Sequence, residues 1–230
     1  MDTMTEGHIF KRYDGELSHL HYLVLEMGGL VINQVHDALV AFKTRDTVLA
    51  QKVVDRDGEV DRLEVDADDE IVQLLAKRCP VSSDLRLVIA VSKSVSDLER
   101  IGDEAVRIAG LVMQLFGHEG SDPNSQMLRD VNRMGDMALT SLRHAIEVFD
   151  VWDEAKAFRV IANHREMDEE FQSDLRHLLT YVMEDSRNIG YAIGVVLVIK
   201  ALERIGHHAQ NLAEYVIFQV QGEDIRHQQP

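Results

Sequence analysis

One cysteine, three prolines and one tryptophan in 230 residues remove several options at once. With only Cys79, neither an intrachain disulfide nor a cysteine metal cluster can form. Pro80, Pro123 and Pro230 are the only prolines, so little interrupts the long 3.6-residue periodicity of the chain, which predicts an almost wholly helical fold. Basic residues are also scarce. Lys plus Arg number 24 against 40 Asp plus Glu, giving a formal charge of -16 that repels nucleic acid and anionic membranes. The most apolar run, Tyr191 to Ile199, stops at Lys200, well short of the roughly 20 residues that span a bilayer. The first residues lack the basic region, apolar run and cleavage site of a signal peptide. A soluble cytoplasmic protein is expected. A glycine-rich phosphate loop, a His-Glu-x-x-His pair and a nucleophile motif are all missing, which argues against catalysis.

The 45% of apolar residues is ample for a core, and its arrangement is repeated. Leu98-Glu99-Arg100-Ile101-Gly102 returns as Leu202-Glu203-Arg204-Ile205-Gly206. An offset of 107 residues carries Met27-Gly28 onto Met134-Gly135, Phe42 onto Phe149, Asp46 onto Asp153 and Asp61 onto Asp168. Three residues lost near the turn between the second and third helices then bring the Leu-Glu-Arg-Ile-Gly copies together, since turns tolerate deletions. The expected architecture is all-α: six helices of roughly 30 residues, about 45 Å each, forming two tandem, pseudo-symmetric three-helix bundles. The bundles would span residues 1–119 and 120–230, with the linker at 117–124 and a short C-terminal tail.

In the first half, Leu17, Leu20, Val24, Met27, Val31, Val35, Ala38 and Phe42 form one helix face. Gly28-Gly29 implies close packing or a mild kink. Asp46 is expected to cap the second helix, Cys79-Pro80 to end it, and Ser82 or Ser83 to cap the third. Arg86 and Arg187 stand where they could pair with Asp84 or Asp185. Trp152, beside the Asp153 cap, is expected to pack over a bundle end.

The chemistry concentrates beside the core stripe. Glu99 and Asp103 are four apart on one helix face. Across the antiparallel turn they lie level with Asp57, Asp61 and Glu64. Carboxylates so grouped repel unless protons, basic side chains or a cation offset them. A four-carboxylate set of Asp57, Asp61, Glu99 and Asp103 suits Mg, Mn or Fe(III). Its counterparts in the second half are His164, Asp168, Glu203 and His207, a mixed set that favours Fe, Zn, Mn or Ni. The other reading is a solvated network in which Arg62, Lys93, Arg100 and Arg204 pair with these acids. Two function classes follow: a helical adaptor, metal-stabilised or not, and a helical carboxylate/histidine metalloprotein with oxidase or storage activity. A di-iron centre needs two Glu-x-x-His pairs, and Glu16-Leu17-Ser18-His19 supplies only one, which favours the adaptor.

Several ordered motifs carry a resemblance. They are Met27-Gly28-Gly29, Ala76-Lys77-Arg78 with Pro80, Ser83-Asp84-Leu85-Arg86-Leu87-Val88, Ser92-Lys93, both Leu-Glu-Arg-Ile-Gly copies, Tyr181-Val182-Met183-Glu184-Asp185-Ser186-Arg187, and the tail Gly222-Glu223-Asp224-Ile225-Arg226-His227. Together they resemble the PhoU family of phosphate-specific transport accessory proteins. The resemblance implies a non-enzymatic, cytoplasmic negative regulator of the phosphate-starvation response. It would link the high-affinity phosphate ABC transporter, through its ATPase and permease, to the sensor histidine kinase, and reach the membrane only through those partners. It further implies a homodimer and metal clusters at the two acidic corners. The second corner departs from the family pattern, with His164 and His207 where Asp is usual. No basic cluster at a helix N-terminus marks an anion pocket, so phosphate is expected to be sensed through the transporter.

Overall fold

A computed structural model describes residues 11–117, 125–184 and 189–225. The six helices are α1 (Lys11–Thr44), α2 (Thr47–Arg78), α3 (Ser82–Phe116), α4 (Ser125–Val151), α5 (Glu154–Glu184) and α6 (Ile189–Gln221). The first three form one bundle and the last three another. The expected boundary at 119/120, most of the linker, Asp185, Arg187 and the last residues of the tail lie outside the described residues.

All eight residues of the α1 stripe, from Leu17 to Phe42, are buried. By length and composition α1 is also the one described helix apolar enough to cross a bilayer, and 44% of its most apolar window is buried within the protein. The two halves lie side by side, with α3 on α6 as the broadest contact and α1 on α4 as the second. Each of α3 and α6 therefore touches three helices. This is why α3 buries Val88, Val95 and Ala109 in addition to the stripe Leu87, Val91, Leu98, Ile101, Ala105, Ile108 and Val112.

The α1–α4 contact repeats its own detail. A Cβ on Gly28 would stand 2.6 Å from Ile146 Cδ1, and one on Gly135 would stand 2.5 Å from Leu39 Cδ2. Gly135 and Ile146 are the 107-residue counterparts of Gly28 and Leu39. Each half thus offers a glycine notch to the other's aliphatic side chain. Gly29, by contrast, has nothing within 4 Å of its added Cβ.

The turns repeat as well. Arg45 and Trp152, also 107 apart, both take left-handed backbone conformations, with φ of 59° and 54°. Asp46 Oδ1 then accepts from the Val48 and Leu49 amides, and Asp153 Oδ1 from that of Lys156. Trp152 packs on Phe149, and Phe149 stacks on His21 of α1, closing one end.

Two local expectations fail. Val81, not a serine, holds the N-cap position of α3 and makes no side-chain cap. Cys79 and Ser82 are both left-handed, at φ 48° and 53°, so the chain enters α3 through a tight turn. Asp84 supplies negative charge to the first turn. Arg86 does not pair locally; its Nε donates to the Gln219 carbonyl near the end of α6, 3.2 Å away.

Polar contacts fix the α3–α6 seam. Asp97, 7% exposed, accepts from Tyr215 Oη at 2.7 Å and Asn211 Nδ2 at 3.4 Å. His208 Nδ1, also 2.7 Å away, donates to the same carboxylate when it carries the proton. Buried Glu104 pairs with Arg204 at 2.7 Å.

The notches give a signed test. Gly28→Val and Gly135→Val should each destabilise the fold by about 1–3 kcal/mol through overpacking. Gly29→Ala should stabilise it by up to about 1 kcal/mol, because only helix propensity changes there. Urea unfolding of the three variants measures both signs.

Candidate metal centres

The first corner lies where α2 and α3 run antiparallel. Asp57 Oδ1 accepts from Gln34 Nε2 of α1 at 3.4 Å. It stands 3.6 Å from where a Cβ on Gly102 would be, an ordinary contact distance, while Gln34 Oε1 stands closer, at 3.3 Å. Burial raises the Asp57 carboxyl above its ordinary range, and Asp61 and Asp103 push it further, against the Gln34 hydrogen bond. Glu99 is raised to about 7, by burial first, then by Asp103, Glu64 and Asp61, with Arg100 opposing. Glu64 is raised by burial and by Asp68, Asp61 and Asp103. Asp57, Asp61, Glu99 and Asp103 therefore share one field, and Glu64 belongs with them. Asp61 and Asp103 face solvent, while Asp57 and Glu99 are half-buried.

The second corner occupies the equivalent place on α5 and α6. His164 is buried, with Nε2 3.6 Å from Asp168 Oδ1 and its ring 5.7 Å from that of His207. Burial depresses its pKa and His207 adds to this, while Asp168 and Glu203 act the other way. A neutral imidazole is the metal-ligating form. Its Nδ1 is buried without a hydrogen-bond partner and stands 3.6 Å from where a Cβ on Gly206 would be. Glu203 is engaged by Lys200, Nζ to Oε2 at 2.8 Å. The first half has Ser96 in place of that lysine, 104 residues earlier.

The corners also differ behind the ligands. Gln34 reaches Asp57, but its counterpart Ser141 is too short to replace it. A cavity of about 280 Å³ opens there, lined by Ser141, His144, Val160, His164 and Met167 among others. Ser141 Oγ is buried and unpartnered.

In chemical terms, the residues present fit a bound cation. The first corner is a surplus of carboxylates with too little basic charge, and the second is a neutral buried imidazole beside two acids and a second histidine. The ligand atoms are gathered along neighbouring helices without drawing into a tight sphere. A tighter group was not anticipated from the sequence. Ligand atoms of Asp130, Asp174 and His177, on α4 and α5, all lie within 4.8 Å of one another. An aspartate beside the apolar stripe Met127, Val131 and Met134, with an Asp-x-x-His pair across the turn, was the available signal.

A family model described as PhoU domain matches residues 24–112 and again 131–216. The chain belongs to the PhoU family. The starts of the two matched segments lie 107 apart and their ends 104 apart, in agreement with a deletion of three residues inside the second copy. A phosphate-specific transport system accessory protein PhoU homolog of Pseudomonas putida is 42% identical over 96% of this chain and 85% of its own length. The Escherichia coli K12 accessory protein PhoU is 34% identical, over 99% of this chain and 93% of its own length. The crystal structure of PhoU from Pseudomonas aeruginosa superposes with a TM-score of 0.86 at 39% identity, covering 92% of this chain and all of that one. The PhoU phosphate transport regulatory protein of Streptococcus pneumoniae gives 0.84 at 27% identity, covering 92% of this chain and 98% of that chain. Membership of the PhoU family makes this protein a cytoplasmic, non-enzymatic regulator of phosphate-starvation signalling, in two pseudo-symmetric three-helix bundles.

Glu99 supplies a pH test. Its folded pKa, about 7, exceeds the ordinary 4.5, so its stabilising contribution is full below 4.5 and is lost as pH rises through 7. Metal-free Glu99→Gln should therefore be more stable than the parent at pH 8, with the gap closing towards pH 5. Thermal melts in chelator across that range measure it.

Proposed function

We propose that this chain is a negative regulator of the phosphate-starvation response that joins the high-affinity phosphate ABC transporter to the sensor histidine kinase. The observation that carries this reading is the family match in both halves. It is supported by relatives over nearly the whole chain whose names describe them as phosphate-specific transport system accessory proteins. On this reading the long faces of the six helices dock the transporter ATPase and permease and the kinase. Phosphate is read through the transporter, the chain meets the membrane only through those partners, and it works as a homodimer. The charge of -16 suits contacts with basic partner surfaces.

Metal ions are part of the proposal. Asp57, Asp61, Glu99 and Asp103 would hold Mg, Mn or Fe. His164, Asp168, Glu203 and His207 would hold Fe, Zn, Mn or Ni, with Lys200 competing for Glu203. A bound cation would offset the crowded negative charge and tie the second helix of each half to the third. The chain's own residues position those ligands: Gln34, lodged against the bare face of Gly102, orients Asp57, and Met167, lodged against that of Gly206, lies one turn from His164.

Loss of this gene product should make phosphate-starvation genes constitutive in phosphate-rich medium, and the wild-type chain should restore repression. Pull-downs from phosphate-replete cells should capture the kinase and the transporter ATPase. Recovery of neither would refute the adaptor role. Elemental analysis without a metal-affinity step should show reduced metal in Glu99→Ala/Asp103→Ala and in Glu203→Ala/His207→Ala. Unchanged metal in both would remove the corners from the proposal.

A further inference from the structure

The buried acids between α4 and α5 are not explained by the fold. Asp130 is 5% exposed and Asp174 is fully buried. Moved back 107 residues, they fall on Leu23 and Ala67, both buried in the first bundle. The first half does the same architectural task with two apolar side chains, so packing does not require acids here. Burying carboxylates is costly unless charge and hydrogen bonds compensate.

The compensation present is partial. Arg133 Nη2 lies 2.7 Å from Asp174 Oδ1 and 3.9 Å from Asp130 Oδ1, and it also pairs with Glu170. Arg133 thus serves three carboxylates, and Arg129 adds a weaker attraction to Asp130. Asp130 Oδ2 and Asp174 Oδ2 remain buried without hydrogen-bond partners. His177, one turn along from Asp174 and half-exposed, places Nδ1 4.0 Å from Asp130 Oδ2. Burial raises both carboxyls, Asp174 to about 6, and the surrounding basic groups do not reverse it.

We propose that Asp130, Asp174 and His177 form a third metal site, on the α4–α5 face of the second bundle, for a borderline divalent cation such as Zn2+. Two carboxylate oxygens and one imidazole are a ligand set for Zn2+ and its neighbours rather than Ca2+ or Mg2+. The half-exposed histidine leaves a route in from solvent. The site is separate from the second corner: Asp174 lies ten residues beyond His164 on α5, about 15 Å along the helix. It has no partner in the first half, where Glu70 replaces His177 and pairs with His19.

The test starts from full-length protein carrying Glu99→Ala, Asp103→Ala, Glu203→Ala and His207→Ala, which removes two ligands from each corner. Zn2+ calorimetry should still show a saturable site, and Co2+ should give the visible absorption of a bound ion. Asp130→Leu/Asp174→Ala installs the first half's residues. It should abolish both signals while melting, metal-free, at the same or a higher temperature. His177→Asn, at an exposed position where folding is not at stake, should weaken Zn2+ by more than about tenfold. Undiminished Zn2+ binding in either variant overturns the proposal. So does a lower metal-free melting temperature of the double variant combined with unchanged Zn2+ affinity in His177→Asn, which would make the acids structural partners of Arg133.

Discussion

The rest of the structure depends on α3 and α6 lying against each other. Each is the third helix of its bundle, and each must pack on two helices of its own half and on its counterpart. That requires apolar surface most of the way round, with polar positions confined to a narrow strip. The strip is where Glu99, Asp103, Glu203 and His207 lie, opposite acids or histidine of the neighbouring second helix. Gly102 and Gly206 sit at the edge of the strip, where the bare backbone takes Gln34 and Met167 close against it. The candidate sites are thus where two demands on one helix meet.

Duplication allows each feature to be judged against its copy. The glycine notches, the left-handed residues Arg45 and Trp152 and the capping aspartates occur in both halves, so they serve the shared scaffold. Other pairs have diverged. Ser141 and His164 stand in the second half where Gln34 and Asp57 stand in the first, with a cavity beside the shorter Ser141. Leu23 and Ala67 stand opposite Asp130 and Asp174. Conserved geometry with altered chemistry at these places separates what holds the bundle together from what the second half does alone.

The helices, their order and the first turn were legible because periodicity and caps are local signals, and the residue set Leu17 to Phe42 illustrates this. The levels of Asp57 and Asp61 against Glu99 and Asp103 followed from counting away from one turn, since antiparallel helices rise equally. What was hidden depended on contacts between the bundles. Arg86 reaches Gln219 instead of Asp84, and α3 buries a second face, because both face a helix more than 100 residues away in sequence. The start of α3 was misjudged because backbone conformation at Cys79 and Ser82, not hydroxyl chemistry, shapes that turn. Lys200 on Glu203 and the buried pair Asp130 and Asp174 were missed because charge counts do not reveal burial.

Asp97 draws three donors from α6 to one carboxylate inside the seam. Sliding α3 past α6 by one turn would strand that anion among apolar groups, at a cost of several kcal/mol. The seam therefore has a single setting. The two bundles are held at one fixed separation, like two marks on a ruler.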